Sequence, residues 1–390
     1  MKAKWFTLAL VLVVSLFVMA CEERSVGPVQ TGPSAQPENV PVPQPVQGTE
    51  QSEIPYERQV VAEHLDVPWA IDRARDGRLF FTERPGHVRV IQEGKLLEEP
   101  MISFPEPFVS EGEGGLLGLV LDPDFADNHY LYVYHTYREG ENVFNRVLRL
   151  KENGNKAEVD KVLIDNIPGS VIHNGGRLKV GPDQKLYITT GDASEPQLAQ
   201  DLAGLAGKIL RLNLDGTIPT DNPVSGSPVY SWGHRNPQGL AWSPDKKWLY
   251  SSEHGQSAHD ELNRIESGAN YGWPLIQGDE SADAMKKPVL HSGTTTWAPS
   301  GMTFVTQGPW VGQLLIANLR GEQMLRIQLD PQQPDRVLQT STLFHDEYGR
   351  IRDVLEAEDG SIYFMTNNRD GRGRPRASDD QIIRLIPRFP

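Results

Sequence analysis

One phrase recurs six times along this chain, and it limits the fold more than any other feature. The phrase is a small or turn-forming residue, an alternating run, a polar turn and a second alternating run. It reads WAIDRARDGRLFFTE from Trp69 and GLLGLVLDPDFADNHYLYVYHTY from Gly115. It returns as GGRLKVGPDQKLYITTGD from Gly175 and QGLAWSPDKKWLYSSEHG from Gln238. The last two copies are SGMTFVTQGPWVGQLLIANLRG from Ser300 and IRDVLEAEDGSIYFMTNNRDG from Ile351. Further strand-like runs follow, such as HVRVIQ, RVLRLKE, KILRLNL, MLRIQLD and QIIRLIP. Period-2 alternation broken by Gly, Pro, Asn and Asp reads as strands joined by hairpins. Six such units, about 50 to 60 residues apart, predict an all-β six-bladed β-propeller of four-stranded antiparallel blades. YERQVVAEHL, near residues 56–65, is expected to complete the last blade and close the ring. Only short stretches, such as PQLAQDLAGLAG near 196–207, look helical.

The N-terminus reads differently. Lys2 and Lys4 precede an apolar run from Trp5 to Met19, and Val18-Met19-Ala20 leads into Cys21. This is the pattern of a lipoprotein signal peptide (residues 1–20), and the run is short for a bilayer span. Cys21 is the only cysteine in the chain, which fits acylation of an exported protein without disulfides. Residues 21–55 are rich in Pro, Gln, Val, Gly and Ser, a composition that cannot bury enough apolar surface to fold alone. The expectation is a lipidated tether holding a propeller, residues 56–390, off a membrane facing the bacterial periplasm. Glu22 rather than Asp after the cysteine favours the outer membrane. The net charge of −14 speaks against nucleic-acid binding.

In a propeller, the loops beside the innermost strands converge on one funnel, so charged residues at equivalent ends of the repeats are site candidates. They are His173 and Asp192 in the third unit, Arg235 and Asn236 before the fourth, Arg320 after the second strand of the fifth, and Arg350 and Arg352 around the first strand of the sixth. The hairpin between His173 and Asp192 returns the carboxylate toward the imidazole. A carboxylate on one ring nitrogen fixes the tautomer and leaves the other nitrogen free as a base. A structural, hydrogen-bonded histidine is the plainer reading. The four arginines either pair with local acids or serve a multiply anionic ligand. The stretch SSEHGQSAHDELNRIESGANYGWP, residues 251–274, reads as an oxygen-rich loop suited to Ca²⁺, or simply as a solvated acidic loop. DPDFADN at 122–128 lacks the glycine and closing glutamate of a calcium loop. GEGGLLG at 112–118 lacks dinucleotide spacing and leads into a strand.

The chain resembles the soluble PQQ-dependent sugar dehydrogenases, especially their aldose sugar dehydrogenase branch. The resemblance rests on GEGGLLGLVLDPDF, HNGGRLKVGPDQKLYITTGD, GHRNPQGLAW, SEHGQSAHDELNRIESGANYGWP, WAPSGM and RIRDV, in that order, from about Val60 to Pro387. It implies a six-bladed propeller holding pyrroloquinoline quinone (PQQ) and Ca²⁺, and oxidation of the C1 hydroxyl of an aldose to a lactone. His173 would then be the general base, oriented by Asp192. Glu113, Arg235, Asn236, Arg320, Arg350 and Arg352 would contact PQQ, which carries three carboxylates, with Arg235 near its reactive carbonyls as a further catalytic residue. The carbonyls of Gly255 and Gln256 would hold the Ca²⁺ beside the quinone, and Glu261 and Tyr271 match a second calcium site.

Three positions depart from the family pattern. Glu113 stands where glucose-oxidising members have glutamine, Gln256 where a proline often follows the glycine, and Arg320 where lysine is common. They bear on substrate preference more than on reaction type. With no second cysteine there is no haem attachment motif, so electrons are expected to leave to a separate quinone or cytochrome partner. A calcium-dependent lactonase-type propeller and a non-catalytic ligand-binding propeller, like the Hedgehog-interacting proteins, are the alternatives.

Overall fold

A computed structural model describes residues 54–388. The leader, Cys21 and nearly all of the tether lie outside the described residues. The inner strands are Pro68–Arg73, Leu116–Leu121, Leu178–Val180, Pro237–Trp242, Pro299–Phe304 and Ile351–Glu356. Each opens an antiparallel four-stranded sheet, and the first sheet carries an extra short strand, Ile102–Ser103. Successive inner strands pack against one another, and the sixth packs against the first, so the ring is closed. These six sheets are blades one to six of a β-propeller.

Blades stack face to face, so a strand in the middle of a blade is covered on both sides. That is why the second strands Leu79–Glu83, Leu249–Glu253 and Ile362–Thr366 are buried at every position. Their apolar runs are therefore nearly continuous, as burial on both faces demands. Gly118 shows how close the inner strands come: a Cβ there would lie 2.1 Å from the Gly176 carbonyl oxygen of the next blade. The sixth blade joins Ile351–Glu356, Ile362–Thr366 and Ile382–Pro387 to Tyr56–Ala62, with Tyr56 opposite Pro387 and Val60 opposite Ile383. The strand expected to close the ring does so.

Two readings of local structure are corrected. Residues 251–274 are not one loop: Leu249–Glu253 and Glu261–Ile265 are the second and third strands of blade four. Leu249–Glu253 is the second run of the fourth repeat phrase, whereas Glu261–Ile265 was masked because Glu261 and the buried Asn263 place polar side chains in the strand. PQLAQDLAGLAG forms only a single 3₁₀ turn, Pro196–Gln200. Here the Lys208 ammonium takes the carbonyls of Leu198, Ala199 and Ala206 at 2.8, 3.0 and 2.6 Å, removing acceptors that a longer helix would need.

Candidate active site

Strand direction alternates within every blade. The segment before an inner strand and the segment after a second strand therefore lie on the same face of the ring. His173, Glu113, Arg235 and Arg350 precede inner strands, whereas Arg84, Asp192, His254, Arg320 and Arg372 follow second strands. All lie on that face, and every blade supplies a residue lining its mouth: Trp69 and Arg84, Glu113, Asn174, Gln238 and His254, Leu319, and Arg352 with Arg372.

The inner strands add a second device. Pairing with the second strand slips between Pro68 and Ile71, Leu116 and Leu119, Pro237 and Gly239, Pro299 and Met302, and Ile351 and Asp353. Such bulges re-aim side chains. Trp69, Gln238, Ser300 and Arg352 sit in them, and Arg352 Nη1 donates to Gln238 Oε1 at 2.8 Å and to Ser300 Oγ at 3.4 Å.

His173 Nδ1 lies 2.8 Å from Asp192 Oδ1. The histidine side chain is 13% exposed and the aspartate 0%. Nε2 of His173 has no hydrogen-bond partner among the described residues. Asp192 also accepts the Ser194 N–H on Oδ1 and the Trp273 indole N–H on Oδ2, both at 2.9 Å. His173 has a left-handed backbone, φ 61°, which is costly for a residue with a Cβ. Its N–H donates to Glu113 Oε2 at 2.9 Å, and that charge-assisted bond helps hold the conformation. Glu113 Oε1 in turn accepts Arg372 Nη1 at 2.5 Å. Burial works to raise the Glu113 carboxyl, but His254, the His173 N–H and Arg372 outweigh it and bring the pKa down to about 2. The departure from glutamine thus arrives with its own counter-ion.

The mouth holds more guanidinium groups than carboxylates to pair them. Arg177 pairs with Asp353 at 2.7 Å, Arg350 with Asp370 at 2.6 Å, and Arg372 with Glu113. For Arg350 the local pairing left open by the sequence holds. Among the described residues Arg84 and Arg235 pair with no carboxylate, and Arg352 has only Asp370, already held by Arg350, at 4.0 Å. Arg235 donates to the His254 carbonyl at 3.2 Å, and Arg352 to Gln238, Ser300 and Asn367. Burial lowers the pKa of all three. Arg352 is brought to about 9, with Asp370 opposing the fall and Arg350, Arg84 and Arg177 adding to it. Arg84 Nε, Arg235 Nε, Asn236 Nδ2 and His254 Nε2 are buried without a partner. His254 is kept neutral by burial, its pKa down to about 4. Asn236 Oδ1 accepts the Gly175 N–H at 3.0 Å. Arg320 stays outside this set: it is exposed, one residue beyond Leu319.

At the turn after blade four's second strand, Asp260 Oδ1 accepts the Gly255 N–H at 3.0 Å, and Oδ2 accepts Trp297 and Ala298 N–H. A Cβ on Gly255 would lie 2.2 Å from the Ala258 carbonyl oxygen, so only glycine fits. The carbonyls of Gly255 and Gln256 accept no hydrogen bond among the described residues. Glu261 lies on the adjacent strand and accepts Gly278 N–H and Asn263 Nδ2 at 3.0 and 3.1 Å. Burial, with Glu253 and Asp260 nearby, raises its pKa to about 7. The Tyr271 hydroxyl is committed, donating to the Arg264 carbonyl at 2.5 Å and accepting the Glu266 N–H at 2.8 Å.

Against known proteins, residues 65–383 match the Glucose / Sorbosone dehydrogenase family model. The chain belongs to the glucose/sorbosone dehydrogenase family. It is 32% identical over 356 residues to the aldose sugar dehydrogenase YliI of Escherichia coli, covering 85% of this chain and 92% of that one. Quinoprotein glucose dehydrogenase B of Acinetobacter calcoaceticus is 33% identical over 309 residues, 68% of this chain and 64% of that one. The PQQ-bound aldose sugar dehydrogenase of Streptomyces coelicolor superimposes with a TM-score of 0.75 at 36% identity, covering 85% and 98%. Within this glucose/sorbosone dehydrogenase, Arg84, His254, Trp273, Asp370 and Arg372 escaped the sequence reading. Arg84 and Arg372 were within reach, since they follow second strands as Asp192 does.

Proposed function

We propose that this family member oxidises the C1 hydroxyl of an aldose to the lactone, using PQQ and Ca²⁺. The carrying observation is the set of three guanidinium groups with no hydrogen-bonded carboxylate, the half-buried Arg84 and Arg235 and the buried Arg352, on the same mouth as the His173–Asp192 pair. A cluster of buried donors fits an acceptor-rich tricarboxylate, because arginine forks match carboxylates. Arg352 and Arg235 would hold it, with Asn236 Nδ2 as a further donor. Arg350 reaches it only by sharing with Asp370, and Arg320 only by swinging inward. When bound, PQQ supplies the hydride acceptor. The free carbonyls of Gly255 and Gln256 fit Ca²⁺, which takes neutral and charged oxygens alike. Glu261 and the Tyr271 carbonyl fit a second cation, flanked by Asn263 Oδ1 and Gln277 Oε1, both buried and unpartnered.

The residues of the chain then divide the work. Asp192 holds the Nδ1 proton of His173, so Nε2 is the basic nitrogen. Nε2 takes the proton of the C1 hydroxyl as hydride leaves C1. Glu113 fixes the backbone that carries His173 and, neutralised by Arg372, adds little net charge beside an anionic ligand. Electrons pass on to a separate acceptor. The run before Cys21 supports a lipid anchor on the periplasmic side. The lactonase alternative calls for a metal held by acidic side chains. Such a site would also draw on Asn side chains and does not call for the several arginines found here.

The test is reconstitution of the purified protein with PQQ and Ca²⁺, following dye reduction with a panel of aldoses. Turnover that disappears in His173→Ala supports the reading. No turnover with any aldose, or full activity in that variant, overturns it.

A further inference from the structure

Trp273 touches both halves of the proposed chemistry. Its indole N–H donates to Asp192 Oδ2 at 2.9 Å, and the guanidinium carbon of Arg235 lies 5.3 Å from its ring centroid. The other donors to the Asp192 carboxylate, His173 Nδ1 and the Ser194 N–H, both act on Oδ1. A carboxylate held through one oxygen alone can pivot about its Cβ–Cγ bond. A donor on the second oxygen stops the pivot and fixes the plane in which Oδ1 meets the imidazole.

The backbone that carries the indole is itself held firmly. The Trp273 backbone N–H donates to the Gly233 carbonyl at 3.0 Å, and the Trp273 backbone carbonyl accepts Gln200 Nε2 at 2.6 Å. Gln200 and Asn270 exchange amide hydrogen bonds at 3.1 and 2.8 Å. Asn270 Oδ1 also accepts the Gly272 N–H at 2.9 Å. Gln200 closes the 3₁₀ turn whose Leu198 and Ala199 carbonyls are gripped by Lys208. The strap thus runs from blade three, through Trp273, back to the blade-three carboxylate.

We infer that Trp273 is a positioning residue for sugar oxidation: its N–H sets the carboxylate plane of Asp192, and so the aim of His173, while its ring seats Arg235. This rests on the function proposed above. The two roles separate chemically, because phenylalanine keeps a ring and loses the N–H, whereas leucine loses both.

The experiment compares wild type, Trp273→Phe and Trp273→Leu. It measures steady-state kinetics with the best aldose, and PQQ binding to each apoprotein by calorimetry. Trp273→Phe is expected to lower kcat about 10- to 100-fold, leaving KM and the PQQ Kd within about twofold of wild type. Trp273→Leu is expected to weaken PQQ binding as well, by about three- to tenfold, through loss of the cation–π contact. Gln200→Ala, which frees the Trp273 carbonyl but keeps the indole, should show a smaller kcat-only loss. Unchanged kcat in Trp273→Phe overturns the inference, as does a parallel loss of kcat, KM and PQQ affinity. Failure of the proposed function would instead appear in the wild type, as absence of aldose turnover with PQQ and Ca²⁺ present.

Discussion

Arg177 of blade three and Asp353 of blade six stand on opposite sides of the ring and meet across it at 2.7 Å. Arg177 Nε also donates to the Gln238 carbonyl at 2.8 Å, and its guanidinium lies 4.3 Å from the Trp69 ring centroid. Asp353 Oδ2 accepts the Ile71 N–H at 3.1 Å as well. Four blades are tied together at this one point beneath the mouth. Removing one partner leaves a buried charge uncompensated, so Arg177→Met should cost about 3–5 kcal/mol. The double variant Arg177→Met, Asp353→Leu should recover part of that loss. Urea denaturation of the three proteins tests this, and a double variant less stable than the single would refute it.

Replacing His173 by alanine should lower kcat about 10²- to 10⁴-fold, because the proton of the C1 hydroxyl loses its acceptor. Asp192→Asn should also lower kcat, since the amide can present its own N–H to Nδ1 and leave Nε2 carrying the proton. PQQ affinity should change little in either variant. Kinetics with calorimetry on the apoproteins checks both.

The guanidinium groups with no hydrogen-bonded carboxylate make a different prediction. Arg352→Gln and Arg84→Gln should each weaken PQQ binding about tenfold or more, as a charge-assisted hydrogen bond worth about 1.5–3 kcal/mol is lost. Both should fold normally, because neither leaves a buried carboxylate without its counter-ion. Arg352→Lys should restore the charge without the fork, and with it only part of the affinity.

Glu261 gives a pH signature. Its pKa is raised from 4.5 to about 7 by burial and nearby acids, so the folded state holds a proton that the unfolded chain releases. Stability contributed by this group is complete below about pH 4.5 and is lost as pH rises toward 7. A divalent cation can replace the proton. Ca²⁺ should therefore raise the melting temperature more at pH 8 than at pH 5, and Glu261→Gln should flatten the difference. Equal Ca²⁺ effects at both pH values in the native protein would remove Glu261 from the site.

The sixfold phrase made the ring and its closing strand readable, because strand alternation and turn chemistry are local. His173, Asp192, Arg235 and Arg352 were readable for the same reason, each standing at an equivalent end of a repeat. Strand four-three, Glu261–Ile265, was hidden because Glu261 and Asn263 place polar side chains inside a blade. Arg350 shows what composition leaves open: its partner, Asp370, lies 20 residues away across a hairpin. Trp273 was invisible as a participant, since its link to Asp192 joins two blades through a side-chain contact that no spacing announces.

The first described strand also bears on how the molecule is made. Tyr56–Ala62 must wait for Ile382–Pro387 before it has a partner. During synthesis, five blades can pair within themselves while the earliest strand waits and the last blade keeps an open edge. Closure has a very long sequence separation, which makes it the slow and aggregation-exposed step of folding. A chain lacking Ile382–Pro387 would present that bare edge to its neighbours.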